Sequence, residues 1–385
     1  MIEIRLIPEK EFQRIREATI DKYTRLALLS DMCSANALAT VKRAGSGHLG
    51  SSFSSLDVVT YLYHFEMNIA QLGVDHPDRD IYFSSKGHDV PGHYAVLHSL
   101  GLLSEERFQR LRRLDGTHGH PDVSIAGIEA NSGSLGMGIS KAKGMALAKK
   151  MSGAKGRVIV MTGDGELQEG QIWESLQTAA YQKVNNLIAI VDFNKIQTDK
   201  SVKDIIDLGD LAKKFEVFGW HGQTCDGHDF ADMEKAFTRL KQVTDRPKVL
   251  IADTIKGKGV SFMEGPRALK DGNGLYPWHS GAPDDDTFEA GYSEIVNRIN
   301  ARLKELDLAP LETRVMATRE KNRVTMMATA EKGVSAYVEA LVKMGAQRRG
   351  IGFLDADLSR DRGVRRCEKG YPVRFVEEGG AGKGM

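Results

Sequence analysis

Short apolar runs alternate with longer stretches of helical periodicity from the N-terminus to about residue 300. The short runs predict five strands, at 81–84, 157–162, 187–192, 223–225 and 249–254. Helical stretches lie between them, and this alternation is typical of a parallel sheet. We therefore predict an α/β fold with a doubly wound parallel sheet and helices on both faces, followed by an incomplete second α/β unit near the C-terminus.

A strand–helix–strand unit between 157 and 194 carries the most chemical information. Its first strand ends at Gly163, Asp164 and Gly165, and its second strand leads directly to Asn194. Ligands of open parallel sheets bind beyond the carboxyl ends of the strands, which is where Asp164 and Asn194 are expected. A carboxylate, an amide oxygen and a nearby backbone carbonyl are hard oxygen ligands. They suit Mg²⁺ or Ca²⁺ that also holds a diphosphate.

Four further segments accompany this unit, and all five occur in an order that resembles one enzyme family. The segments read KRAGSGHLGSSFSSLDVV at 42–59, DIYFSSKGHDVPGHYA at 80–95, GTHGHPD at 116–122 with SGSLGMGIS at 132–140, the GDG unit, and ADTIKGKGVSFME at 252–264 with WHSGAP at 278–283. Together they resemble the transketolase family, in the short form whose N-terminal half is its own polypeptide. The resemblance covers about 32–283 and continues more weakly from about 324. Leu49 stands where the family usually has proline.

The resemblance implies a site for thiamine diphosphate and a divalent metal, Mg²⁺ or Ca²⁺. Asp164, Asn194 and the backbone oxygen of Ile196 match the metal ligands. The positions that match the family's cofactor-binding residues are Gly133, Ser134, Leu135, Gly163, Asp164, Gly165, Glu166, Asn194 and Ile196. Glycine at 163 and 165 lets the backbone approach the diphosphate, because a Cβ there would obstruct it.

The resemblance also implies which side chains take part in catalysis. Four histidines in glycine-rich loops match those around the diphosphate and the substrate: His48, His88, His120 and His279. Histidine suits proton transfer near neutral pH. Glu169 and Glu174 match the acids that link two active sites across a dimer, and Ile172 and Leu176 are expected with them at an apolar homodimer interface. Alternatively, the two glutamates form a solvated helix face near the positive end of the helix.

Three other motifs suggest different sites and are disfavoured. The segment 45–50 fits the GxGxxG pattern, but a helix-periodic stretch at 23–44 precedes it, where a dinucleotide site needs a strand. His118 and His120 could begin a zinc site, although no cysteine lies nearby and a third ligand at the usual spacing is missing. KGKG at 256–259 lacks the GK[ST] ending of a P-loop.

Composition narrows the class of protein further. The 385-residue chain has 53 basic and 52 acidic residues and a net charge of +1, so nothing indicates a nucleic-acid-binding protein. Three scattered cysteines, Cys33, Cys225 and Cys367, fit a reducing compartment. The N-terminus reads as a charged helix rather than a signal peptide, and no apolar run reaches membrane-spanning length. We expect a cytoplasmic protein that binds neither nucleic acid nor membrane.

We expect a diphosphate-binding domain at 1–309, a linker at 310–324 and a partial pyrimidine-binding domain at 325–385. In this last part the family has a glutamate that contacts the aminopyrimidine ring, and Gly382 stands at that position. The family's arginine for the substrate phosphate is also missing, because its motif reads ATA at 328–330, with ATR at 317–319 as an alternative match. About sixty residues of a parallel-sheet domain bury too little surface to be stable alone.

These features predict a transketolase-like subunit that transfers a two-carbon ketol unit between sugars, either sugar phosphates or an unusual acceptor. A complementary C-terminal subunit would supply the missing half of the site. We expect the chain to form a homodimer, or a heterotetramer that includes the second subunit. Two alternatives stay open. One is a non-catalytic or regulatory homologue, and the other is a related thiamine-diphosphate synthase of the deoxyxylulose-phosphate type.

Overall fold

Strands and helices alternate through residues 2–316, 332–355 and 364–377, which are the parts of the chain described by the structure, a computed structural model. The strands are β1 Arg5–Leu6, β2 Ile81–Ser84, β3 Val158–Gly163, β4 Leu187–Phe193, β5 Ile196–Gln197, β6 Lys200–Ser201, β7 His221–Asp226, β8 Lys248–Asp253, β9 Arg314–Val315, β10 Phe353–Asp355 and β11 Phe375–Glu377. The helices are α1 Glu9–Glu17, α2 Lys22–Ala44, α3 Leu49–Tyr61, α4 Ile69–Leu72, α5 Val90–Ser99, α6 Glu105–Phe108, α7 Gly138–Ser152, α8 Gly170–Tyr181, α9 Val202–Ile205, α10 Leu211–Val217, α11 Phe230–Lys241, α12 Gly265–Asp271, α13 Asp285–Glu305, α14 Lys332–Gln347 and α15 Arg365–Gly370.

Five of the strands form one parallel sheet in the order β2-β3-β4-β8-β7. At the carboxyl ends of β3 and β4, Gly163 pairs with Asp192. All five strands lie where the sequence predicts them, so the predicted α/β fold is confirmed. Strand β7 extends beyond its predicted range of 223–225, because it is an edge strand whose partly exposed side chains form no apolar run.

Side chains of the sheet alternate between two hydrophobic cores. Ile159 and Met161 of β3 belong to the core built with α2, α3, α5, α11 and α13. Val158 and Val160 belong to the core built with α7, α8 and α10. This alternation is the period of two that every strand has. Helices therefore cover both faces of the sheet, as a doubly wound fold requires.

Helix α8 corrects the predicted dimer interface. Ile172 and Leu176 are fully buried within the chain, in the core that also contains Phe215 and Trp220. The expectation that they lie at a homodimer interface is therefore wrong, because their side chains pack between the helix and the sheet. Glu174 is exposed on the same helix. Periodicity identified the apolar face of α8, but it could not show that the same chain covers it.

The segment predicted as a loop at 269–283 begins inside α12. Its remainder is fixed to the domain by backbone hydrogen bonds. Tyr276 N–H donates to Asp199 O at 2.7 Å, and Gly281 N–H donates to Gly47 O at 2.9 Å. This strap therefore lies against the loop that carries His48.

The helix predicted at 295–306 is the C-terminal half of α13. The observed helix begins ten residues earlier, after Asp284, whose carboxylate accepts a hydrogen bond from Thr287 N–H at 2.8 Å. Asp285 and Asp286 in its first turn interrupt the apolar periodicity. Acidic residues are favourable at a helix N-terminus, so capping rather than periodicity sets where this helix begins.

A second, smaller unit follows α13. Strand β9, within the predicted linker, pairs antiparallel with β1 near the N-terminus. Helix α14 runs two residues past its predicted end at Gly345, and β10 pairs in parallel with β11. Arg365 of α15 donates to Asp199 Oδ1 at 2.5 Å, so this unit contacts the first one. The predictions made for 317–319, 328–330 and Gly382 lie outside the described residues. None of the described helices is both long and apolar enough to cross a bilayer.

Candidate active site

Four neighbouring strands of the sheet end in polar residues. His88 lies beyond the end of β2, Asp164 follows β3, Asn194 follows β4 and Lys256 lies beyond β8. Because these strands are parallel and adjacent, their carboxyl ends share one edge of the sheet. Ligands of such sheets bind at this edge. This edge, with the loops that close over it, is the candidate active site.

The predicted metal ligands lie at the ends of β3 and β4. Asp164 accepts hydrogen bonds from Gly165 N–H at 2.8 Å and from Lys195 N–H at 2.6 Å. Asn194 Oδ1 accepts one from Ile196 N–H at 3.1 Å. The bond from Lys195 fixes the Asp164 carboxylate against the turn that carries Asn194 and Ile196. The three predicted oxygen donors therefore belong to one small region.

The electrostatics of this region suit a divalent cation. Burial, together with the negative charge of Asp192, raises the pKa of Asp164 to about 6. A buried carboxylate that is charged at neutral pH is stabilised by a nearby cation. One carboxylate, one amide oxygen and one carbonyl form the hard oxygen set that Mg²⁺ prefers. Within residues 2–316, 332–355 and 364–377, no cluster of three histidine, cysteine or carboxylate side chains offers a metal site of another kind.

Lys256 is a site residue that the sequence patterns do not predict. Its ammonium group donates to Ile196 O at 3.0 Å and to Thr198 O at 3.1 Å, and it lies 3.3 Å from His279 Nδ1. The carbonyl of Ile196 therefore already accepts a hydrogen bond, although its second lone pair leaves it able to bind a metal. The sequence places this lysine in the family-like segment at 252–264 and in the motif KGKG, but neither indicates a contact with the metal ligands.

The structure brings the four predicted histidines together. The ring of His48 lies 5.3 Å from that of His88, 5.2 Å from that of His279 and 6.3 Å from that of His120, measured between centroids. The rings of His88 and His279 are 5.3 Å apart. The fold thus builds one imidazole cluster from four loops that are distant in the sequence.

Three of these histidines have lowered pKa values. Burial, followed by the charge of Arg112, lowers the pKa of His48 to about 4. Burial and His48 hold the pKa of His88 well below its usual range, and burial and Arg112 lower that of His120. These imidazoles are therefore neutral at pH 7, with one donor and one acceptor nitrogen each. His88 Nδ1 lies 3.1 Å from Lys86 O, which assigns the hydrogen to Nδ1 and leaves Nε2 as an acceptor.

A buried ion pair supports the metal ligands. Lys86 Nζ lies 2.7 Å from Asp192 Oδ2 and 3.3 Å from Asp89 Oδ2. Burial disfavours the charged form of Asp192, but Lys86 outweighs it and holds the pKa of that carboxyl below its usual value. Asp192 also accepts a hydrogen bond from Asn194 Nδ2 at 3.0 Å. This bond orients the Asn194 amide, and neither Lys86 nor Asp192 is predicted from the sequence.

Glu166, a predicted cofactor-binding residue, is placed as a tether between loops. Its carboxylate accepts hydrogen bonds from Gly136 N–H at 2.9 Å, from Gly163 N–H at 3.1 Å and from Ser85 Oγ. Burial raises its pKa. These contacts join the ends of β2 and β3 to the loop before α7. A contact between Glu166 and the cofactor stays a prediction.

The loop predicted to line the cofactor packs against the histidine cluster. Gly133 has a φ of +116°, and a Cβ at this position would lie 2.6 Å from Cδ2 of His120. Glycine is therefore required both by the backbone angle and by the close approach. Leu135 is half-buried and Ser134 is exposed in the same loop. Glycine at 165 is needed for a related reason, since a Cβ there would lie 2.8 Å from Gln197 Cγ.

The two predicted linking acids lie at the start of α8 and on its surface. Glu169 is half-buried beside Gly136, where a Cβ on the glycine would lie 2.6 Å from that of Glu169. Glu174 is exposed. The structure therefore leaves both readings open, the solvated helix face and the contact with a second chain.

Comparisons with known proteins give a consistent result. The family described as "Transketolase, thiamine diphosphate binding domain" matches residues 28–273. One of the named subunits of apulose-4-phosphate transketolase, from Phocaeicola vulgatus, is 34% identical over 266 residues, which cover 69% of this chain and 92% of that protein. The 6-deoxy-6-sulfo-D-fructose transketolase subunit of a Clostridium species is 39% identical over 234 residues, which cover 60% and 85%.

Solved structures show the same fold. A transketolase mutant from Pichia stipitis superposes with a TM-score of 0.59 at 24% sequence identity. The match covers 73% of this chain and 44% of that one, so the chain spans less than half of the solved protein.

Proposed function

Because the chain belongs to the transketolase family, we propose that it binds thiamine diphosphate with Mg²⁺ and serves as one subunit of an enzyme that transfers a two-carbon ketol unit between sugars. One observation carries the proposal. The oxygen donors of Asp164, Asn194 and Ile196 share the sheet edge with a cluster of four histidines. When bound, thiamine diphosphate supplies a nucleophilic carbon and an electron sink.

Each group of residues has its own task in this proposal. Asp164, Asn194 and the Ile196 carbonyl would hold the metal, which would supply positive charge for binding the diphosphate. The neutral imidazoles bind sugar oxygens, because each can donate one hydrogen bond and accept another. His88 keeps Nε2 as a proton acceptor, and His48 is the ring that contacts the other three.

A second chain completes the site in our proposal. The relatives from Phocaeicola and Clostridium are named as transketolase subunits, which implies partner chains for those proteins. Here the position that corresponds to the family's pyrimidine-contacting glutamate is Gly382. A complementary chain with that glutamate would restore proton transfer to the aminopyrimidine.

Calorimetry tests cofactor binding directly. Thiamine diphosphate is titrated into the full chain with and without Mg²⁺, and we expect Mg²⁺-dependent heat. Asp164→Ala should abolish it, whereas Asp204→Ala, which removes an exposed carboxylate on α9, should leave it unchanged. Absence of heat both alone and with a candidate partner chain, or equal heat from the Asp164 variant, would contradict the proposal.

Ketol transfer tests the need for a partner. We expect the purified chain to show little or no transfer, and to gain it when mixed with a chain that carries the remaining half of the family's site. Robust turnover by this chain alone would refute the need for a partner. Cofactor binding without turnover in any combination would instead favour a non-catalytic homologue.

A further inference from the structure

Arg112 is a cation beside the histidine cluster that neither the family motifs nor the function proposed above assigns to a task. It lies in the loop between α6 and the GTHGHPD segment. Its guanidinium donates to Ser46 Oγ at 3.0 Å, two residues before His48. A Cβ on Gly119, the neighbour of His120, would lie 2.8 Å from Arg112 Nε. The guanidinium therefore sits between the loops that carry His48 and His120.

The backbone at Arg112 adopts a strained conformation, which two backbone hydrogen bonds maintain. Its φ is +58°, a left-handed conformation that costs a residue with a Cβ about 1 kcal/mol. Two backbone hydrogen bonds maintain this conformation. Arg112 N–H donates to Thr117 O at 2.7 Å, and Thr117 N–H donates to Arg110 O at 3.2 Å. Strain that the surrounding structure maintains is common in binding loops.

The guanidinium has a hydroxyl partner but no carboxylate partner. Among the residues that the structure describes, Arg112 forms no ion pair, in contrast to Arg110, which pairs with Asp115 in the same loop. Arg112 is half-buried, and burial alone lowers its pKa, with no acidic neighbour to raise it. A partly desolvated guanidinium without a counter-ion can bind a phosphate or a sulfonate through its planar fork of donors.

We propose that Arg112 is a specificity-determining residue that binds the anionic group, a phosphate or a sulfonate, of the sugar entering the histidine cluster. The inference rests on the proposed function and deepens it. It assigns recognition of the substrate's negative charge to a loop of this chain. The family's arginine motif for that task is expected at 328–330, where the sequence reads ATA. An oxyanion next to Arg112 would also lie beside imidazoles that can donate hydrogen bonds to the sugar hydroxyls.

Binding of small anions to the full chain tests this proposal without any turnover. Inorganic phosphate and methanesulfonate are titrated separately, with erythritol as a neutral control, and the ring signals of His48 and His120 are followed by NMR. The titrations are run with and without thiamine diphosphate and Mg²⁺, so that binding at the diphosphate position is separated from binding at Arg112. We expect one or both anions to bind with millimolar dissociation constants and erythritol to have no effect.

Three variants assign the anion to Arg112. Arg112→Gln should weaken anion binding about tenfold, which corresponds to about 1.4 kcal/mol. Arg112→Gly should do the same while relieving the left-handed strain, so backbone strain does not explain loss of binding in this variant, and its far-UV circular dichroism should match the wild type. Arg113→Gln removes the same charge from an exposed neighbour and should leave binding unchanged.

The outcomes separate this inference from the proposed function. If thiamine diphosphate binds but no anion does, or if Arg112→Gln and Arg113→Gln have equal effects, Arg112 is not the anion site and the proposed function is untouched. If an anion binds through Arg112 but thiamine diphosphate does not bind, the anion site stands and the proposed function fails. Whichever anion binds more tightly, inorganic phosphate or methanesulfonate, shows whether Arg112 recognises a phosphate or a sulfonate.

Discussion

Asp164 is the residue at which the proposed metal site can be tested most sharply. Replacing it with asparagine keeps its size but removes the charge that a divalent cation needs. We expect Asp164→Asn to weaken Mg²⁺-dependent binding of thiamine diphosphate by about tenfold or more, roughly 1.4 kcal/mol. Calorimetry measures this, and unchanged affinity would remove Asp164 from the metal site.

His48 should make stability depend on pH in a defined direction. Its folded pKa of about 4 lies below the usual value of about 6.5, so on acidification the unfolded chain takes up a proton first. The contribution of His48 is therefore complete above about pH 6.5 and is lost as the pH falls toward 4. Urea unfolding of His48→Gln should show a shallower decline across this window than the wild type.

A control variant identifies the source of that change. His76→Gln replaces an exposed histidine outside the cluster and should keep the wild-type decline. If the His48 variant declines as steeply as the wild type, burial of His48 is not the source of this pH dependence.

The sequence predicts the candidate site residues that lie in recognisable motifs. It does not predict those whose place in the site depends on contacts made after folding. The four histidines, Asp164 and Asn194 occur in segments with a recognisable order, and the fold places them at one sheet edge. Lys86 and Lys256 lie in family-like segments and Arg112 lies outside them, but no motif marks any of the three as a site residue. Their positions depend on partners such as Asp192, Ile196 and Ser46, which become neighbours only after folding.

At the scale of elements, α8 gives a direct test of the corrected interface. Leu176 is a core residue, so Leu176→Ala should lower the free energy of unfolding by about 3 kcal/mol through lost burial and a cavity. Glu174→Ala on the exposed side should change it by no more than about 0.5 kcal/mol. Chemical denaturation measures both. If Leu176→Ala hardly changed the free energy of unfolding but dissociated the oligomer, Leu176 would lie at a homodimer interface after all.

The link between the ends of β2 and β4 is a second test at this scale. Lys86→Met would leave the buried Asp192 carboxylate without its cation, and breaking such a pair costs about 3 kcal/mol or more. We expect that loss in the free energy of unfolding. Adding Asp192→Asn should recover part of it, because the double variant no longer buries a charge. A double variant that is no more stable than Lys86→Met would show that the pair is not coupled.

The predicted ends of strands and helices agree with the structure where burial of side chains produces an apolar pattern in the sequence. Strands β3, β4 and β8 are buried on both faces and form apolar runs, so their predicted ends are nearly correct. Strand β7 at the sheet edge and the first turns of α13 are set by backbone pairing and capping instead. Apolar periodicity carries no information about either.

At the scale of the whole molecule, relatives of this chain are named as transketolase subunits, which supports an assembly of several chains. We propose that this chain forms at least a dimer, using surfaces other than Ile172 and Leu176, which its own core occupies. Sedimentation at micromolar concentration measures this. A stable monomer in the presence of thiamine diphosphate and Mg²⁺ would contradict the expectation.

The polar network around Asp192 also has a consequence for the order of folding. Asp192 accepts hydrogen bonds from Ser54, 138 residues away, from Lys86, 106 residues away, and from Thr254, 62 residues away. Contacts that close such long loops are formed late and slow the approach to the native state. During refolding, the ability to bind the cofactor should therefore appear only in the slowest phase, after most of the helical signal has returned.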